Sequence, residues 1–229
     1  MRTSSRRAEI HLQTDAEYMA AKRQLQYQFC TCPAGAIHTW DHVQNMKEFK
    51  NARYIAPKAE IEMAYNPLPL YYRTYESPVL GIEPAYNGCA FEMIDKETEV
   101  LPGITMFPTP GHSVGYMCVT VATTGGDIVI CGDAIFEARN LEPNEDEKWR
   151  YWVPARFVNS YEGWKSVEEI DKRADYVLPC HDIECGDHEV YPFDGMKKRD
   201  RRKFIPGYNF YFGDMPPGTA RASEDSHED

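Results

Sequence analysis

No stretch of this 229-residue chain comes near the ~20 consecutive apolar residues that a membrane-crossing helix needs. Arg2, Arg6 and Arg7 open the sequence without an apolar core behind them, so no secretory signal is read there. Positive charge is also scarce: 25 Lys and Arg against 36 Asp and Glu give a formal net charge of −11. That balance argues against nucleic acid as a partner, since phosphate binding needs a basic face. The one basic run, Lys197 to Lys203, reads as a solvated surface segment. Seven cysteines are an odd number without a secretory signal, so a disulfide framework is not expected and the thiols read as reduced. These absences predict a soluble, cytoplasmic protein that engages neither membrane nor nucleic acid. The hydrophobic content, 42%, suffices for one complete core.

Three divisions are expected: a polar segment over 1–37, a mixed α/β domain over 38–212, and an acidic, disordered tail over 213–229. Within the first, Asp15 to about Tyr27 has helical spacing. Within the second, 52–56, 103–107, 116–122, 127–131 and 175–179 are short, β-rich and bounded by turn formers, so they read as strands. Thr123-Thr-Gly-Gly-Asp127 reads as a hairpin turn. Ser160 to Arg173 reads as an amphipathic helix capped by Ser160, with Trp164, Val167 and Ile170 on its apolar face. Asp41 to Phe49 reads as a helix beginning at an Asp-His pair.

On that map, His112 follows the strand at 103–107, Asp133 the strand at 127–131, and His181 the strand at 175–179. Loops held by a rigid sheet are where site residues concentrate. If the strands are neighbours, two imidazoles and a carboxylate converge as an N/O donor set suited to Zn²⁺ or Fe²⁺, and Asp41-His42 can complete it. Each residue also has an ordinary structural reading. Asp133 can be a helix N-cap, His181-Asp182 a hydrogen-bonded pair, Asp41-His42 an N-cap with its first-turn neighbour. Cys180 reads as a strand-end core residue, with a separate zinc site of Cys180, His181, Cys185 and His188 as the competing reading.

Trp40-Asp41-His42, Thr109-Pro110-Gly111-His112-Ser113, Gly132-Asp133-Ala134 and Cys180-His181-Asp182-Ile183-Glu184 occur in an order that resembles the metallo-β-lactamase superfamily, and within it the N-acyl-homoserine lactonase branch. The resemblance implies an αββα sandwich with a metal centre at one sheet edge. It implies that Asp133 bridges two metals, that Asp41, His42 and His181 hold the second, and that His112 serves the first with two further histidines. Those two positions are Ile37 and Thr39, and His38 is out of register with both. One Zn²⁺ is therefore expected, two being possible. The branch often carries a tyrosine where this chain has Phe136; Tyr116, Tyr151 and Tyr161 are the candidates to supply a hydroxyl instead. Nothing in 1–37 resembles the strands that open the family fold, so a sandwich incomplete at its N-terminal sheet is expected. The implied reaction opens a lactone or ester, with Asp133 and Asp41 as catalytic residues; the alternative is a degenerate, non-catalytic family member binding one metal or none. Aromatic segments at 65–72 and 148–152 are candidate substrate walls.

Overall fold

The computed structural model describes residues 46–48, 52–142, 151–152, 154, 157–185, 188 and 190–199. The proposed segments 1–37 and 213–229, the expected helix at Asp15–Tyr27, and Asp41 and His42 lie outside the described residues. Of the helix expected over 41–49, the described part is a single 3-10 turn, Met46–Glu48.

Among the described residues, seven strands and two α-helices follow one another along the chain. They are β1 Tyr54–Pro57, α1 Lys58–Tyr65, β2 Phe91–Ile94, β3 Thr98–Leu101, β4 Ile104–Pro108, β5 Met117–Thr123, β6 Gly126–Gly132, α2 Ser160–Arg173 and β7 Tyr176–Pro179. β1 and β2 form a small parallel sheet; β3 to β7 form a five-stranded sheet in chain order. Antiparallel pairs run from β3 to β6, and β7 lies parallel to β6. The long crossover that a parallel pair demands is supplied through α2. That helix starts where expected, but its cap is Asn159 rather than Ser160. The Asn159 side chain accepts the backbone N–H groups of Tyr161 and Glu162, which a residue just before the first turn is placed to do.

Alternation along the strands sorts the core into layers. Phe107, Cys118, Val129, Cys131 and Val177 face α2 and pack on Val167 and Ile170. Their sequence neighbours Met106, Met117, Val119 and Ile130 turn to the other face and meet Ile55 of β1 and Ile94 of β2. Ala56, one residue on, points away from that interface and joins Ile61 and Ala64 of α1 with Tyr75 and Tyr86. The order is helix, sheet, sheet, helix, the αββα sandwich expected, and it follows from the period of two in strand side-chain direction. The candidate wall at 65–72 contributes Tyr71 to the α1 side of this core, while Leu68 and Leu70 are exposed.

Candidate metal centre

β4 and β6 are both antiparallel to β5, and β7 is parallel to β6. The C-terminal ends of β4, β6 and β7 therefore share one edge of the large sheet, which is why His112, Asp133 and His181 come together although 69 residues separate the first from the last. Asp133 is at the centre. Its Oδ2 lies 3.2 Å from His112 Nε2, and its Oδ1 lies 2.9 Å from His181 Nε2. The carboxylate is buried, His112 is buried, and His181 is 43% exposed, so the cluster opens to solvent on the His181 side. Asp133 caps no helix, and that ordinary reading falls.

The loop carrying His112 is fixed from two directions. On one side, Gly111 sits at φ 138° against α2, where a Cβ would fall 2.4 Å from the Cα of Gly163. Ser166 Oγ donates to Pro110 O at 2.6 Å, and the backbone N–H of Val158 and that of Asn159 both donate to Gly111 O. On the other side, Glu60 of α1 is fully buried and accepts hydrogen bonds from Ser113 Oγ at 2.6 Å, Tyr75 Oη at 2.8 Å and the Gly115 N–H at 3.3 Å. Burial pushes the Glu60 carboxyl above its ordinary pKa, opposed by those three hydrogen bonds and by the nearby His112. Glu60 was not singled out from sequence; a Glu one position before Ile61 in a short helix gives no signal of burial.

Aromatic rings enclose the imidazoles. Tyr116 meets His112 edge-on at 5.5 Å, Phe157 does so at 6.1 Å, and Phe136 lies 6.2 Å from His112 and 4.8 Å from His181 between ring centres. Of the three tyrosines considered as hydroxyl donors, Tyr116 is at the site, but it is buried and its hydroxyl accepts the Asp133 N–H. Desolvation first, and then the charge of Asp133, raises its pKa well above the ordinary phenol value. Tyr151 is in the core and donates to Asp171 Oδ2 at 2.9 Å, and Tyr161 is exposed on α2. Asp182, expected as a partner of the His181 ring, instead accepts the backbone N–H groups of Ala138 at 2.8 Å and Glu184 at 3.1 Å. It thereby ties the His181 loop to the segment after Asp133.

Cys180 corrects its sequence reading. It is exposed, not a core residue, and its Sγ lies 2.9 Å from Asp133 Oδ1. The alternative zinc site with Cys185 and His188 is not assembled. Cys185 is buried, with burial raising its thiol to about 11, and the His188 ring stacks on Phe193 at 3.7 Å. Among the described residues, the group whose ligand atoms all lie within 4.8 Å of one another is Asp133, Cys180 and His181. A single ion with bonds of about 2.0–2.3 Å can span such separations, and carboxylate, imidazole and thiolate are all zinc donors. A cleft of about 470 Å³ adjoins this group, with His181, Asp182, Glu137 and Arg139 on its wall. The five described cysteines are free thiols, and among the described residues no helix is long and apolar enough to cross a membrane.

A sequence model of the metallo-beta-lactamase superfamily matches residues 38–181. The N-acyl homoserine lactonase AiiA of Bacillus thuringiensis subsp. kurstaki is 27% identical over 146 residues, covering 63% of this chain and 53% of the relative. An N-acyl homoserine lactonase of Bacillus cereus is 29% identical over 150 residues, with coverage of 63% and 53%. This chain thus spans about half the length of the curated relatives it matches. A crystal structure of a B. thuringiensis AiiA mutant with N-decanoyl-L-homoserine at its active site superposes with a TM-score of 0.52 at 23% identity, covering 70% of this chain and 59% of that one. At that identity the likeness is one of fold.

Proposed function

We propose, from the premise that this chain belongs to the metallo-beta-lactamase superfamily, that it is a metal-dependent hydrolase opening lactones of the N-acyl-homoserine class or related esters. The observation that carries this reading is the split of the Asp133 carboxylate, one oxygen facing His112 and the other His181. A carboxylate so placed could serve as a shared ligand, with an imidazole on either side. Asp133 and His181 would hold a divalent ion, His112 would serve the buried side of the centre, and Asp41 and His42 would contribute from outside the described residues. The donors fit zinc, and the number expected is one.

A divalent ion there supplies Lewis acidity, lowering the pKa of water to about 7 and polarising a carbonyl oxygen. The chain's own groups do the rest. Asp133 would orient the attacking water through its carboxylate, and its backbone is fixed by the N–H it donates to the Tyr116 hydroxyl. Phe136 covers the cluster between the two imidazoles and excludes bulk water without offering a hydroxyl. Asp41 returns a proton to the leaving alkoxide. The balance is addition of H–OH across the acyl carbon–oxygen bond, giving a carboxylate and a free alcohol. The exposed face of His181 and the adjoining cleft support entry of substrate from that side.

The reading is tested by incubating the zinc-loaded chain with N-hexanoyl-homoserine lactone and following acid release. Ring opening above the spontaneous rate, lost in Asp133→Ala, is the expected result. A chain that holds zinc and leaves both lactones and simple esters intact would overturn it in favour of a non-catalytic role.

A further inference from the structure

We propose that Cys180 is a metal ligand, so that this chain's centre contains sulfur: one zinc ion held by the Cys180 thiolate, the Asp133 carboxylate and the His181 imidazole. The inference rests on the reading of the site as a metal centre, and adds a donor absent from the nitrogen and oxygen set that the superfamily resemblance implies.

Strand register places the sulfur. β7 runs parallel to β6 with Pro179 paired to Gly132, so the next residue on each strand, Cys180 and Asp133, emerges side by side at the sheet edge. The result is a shared focus: Cys180 Sγ and His181 Nε2 each lie 2.9 Å from the same oxygen, Asp133 Oδ1. Adjacent residues in a continuing strand would point to opposite sides. Here the chain leaves the strand at Pro179, and both side chains reach one carboxylate. The other cysteines of this sheet are of a different kind. Cys118 and Cys131 are buried in the core, and burial raises the first thiol to about 12 and the second well above its ordinary value. Cys180 alone among the described cysteines combines exposure with a place in a ligand cluster.

Binding replaces the S–H bond of Cys180 with a sulfur–metal bond and releases the proton to solvent, with no change of oxidation state. A thiolate is a soft donor, so the site prefers zinc or cobalt to magnesium, calcium or manganese. Among the described residues the donors number three, and any contribution from Asp41 or His42 would add to them.

Cobalt(II) makes the sulfur visible. The full chain loaded with cobalt is expected to show visible d–d bands together with a near-ultraviolet thiolate-to-cobalt charge-transfer band. In Cys180→Ser the charge-transfer band disappears, the d–d bands remain, and zinc affinity measured against a chelator falls by at least about tenfold, the loss that outer-shell changes already produce. Cobalt bound with d–d bands alone, or a charge-transfer band unchanged in Cys180→Ser, would overturn the sulfur ligand while leaving the metal centre standing. No cobalt uptake at all would overturn both.

Discussion

Ser113 donates a 2.6 Å hydrogen bond to Glu60, joining the residue after His112 to a carboxyl on the opposite side of the sandwich. The contact is dry at both ends, and the Gly115 N–H and Tyr75 hydroxyl share the same acceptor. Gly115 is pressed so closely on α1 that a Cβ would come within 2.5 Å of the Glu60 backbone nitrogen. The His112 loop is thus clamped between two helices, one contributing a carboxyl and the other a glycine face.

Removing that carboxyl leaves two hydroxyls and an amide N–H without their acceptor in a buried space. Each such group costs about 1–3 kcal/mol, reduced where a hydroxyl can turn to another partner. Glu60→Ala is therefore expected to destabilise the fold by about 2–4 kcal/mol in urea unfolding, and Glu60→Gln, which retains one acceptor oxygen, by less than half as much. Equal losses in the two variants would show that packing volume, not hydrogen bonding, holds the loop.

Ile37 and Thr39 stand where the family's first-metal histidines are implied. Ile37→His with Thr39→His is expected to raise bound zinc from about one to about two equivalents per chain and to increase lactone hydrolysis. Elemental analysis of the double variant is the check, and an unchanged stoichiometry would show that the absent histidines are not what limits occupancy.

Arg173 makes a two-pronged contact with Glu97, Nη1 to Oε1 and Nη2 to Oε2 at 2.9 Å each, while its Nε donates to Glu169 at 2.7 Å. The Arg173 hydrogen bonds hold the Glu97 carboxyl below its ordinary pKa. A carboxyl depressed in the folded state stabilises the protein above its unfolded pKa and loses that contribution as pH falls through the folded value. Glu97 is half exposed, so solvent screening limits the pair to about 0.2–1 kcal/mol. Glu97→Gln should lower stability by that amount near neutrality and flatten the stability–pH curve below about pH 4.5, where the parent loses the same contribution. A larger effect at pH 3 than at pH 7 would contradict the sign.

The large sheet was legible because β4, β5 and β6 are dense in β-branched and apolar residues and are flanked by glycine or proline, and α2 carries a regular apolar face. β2 and β3 escaped because each is four residues long and carries an exposed glutamate, Glu92 or Glu99, in its interior. α1 escaped for a different reason. Its buried face includes Glu60, so the apolar periodicity that marks a helix is broken by the very residue that anchors the His112 loop. Among the candidate site residues, the convergence of His112, Asp133 and His181 was legible because each follows a recognisable strand. Cys180 reads from the sequence as a strand-end core residue, but the chain leaves β7 at Pro179 and the thiol reaches the Asp133 carboxylate instead of the core. Asp41 and His42 rest on the sequence alone.

Metal content tests the centre at Asp133 most directly. The chain dialysed against zinc and then against buffer is expected to retain about one equivalent by elemental analysis, and Asp133→Ala to retain almost none. A chain that stays metal-free under the same treatment, or a variant that holds zinc as well as its parent, would contradict the assignment.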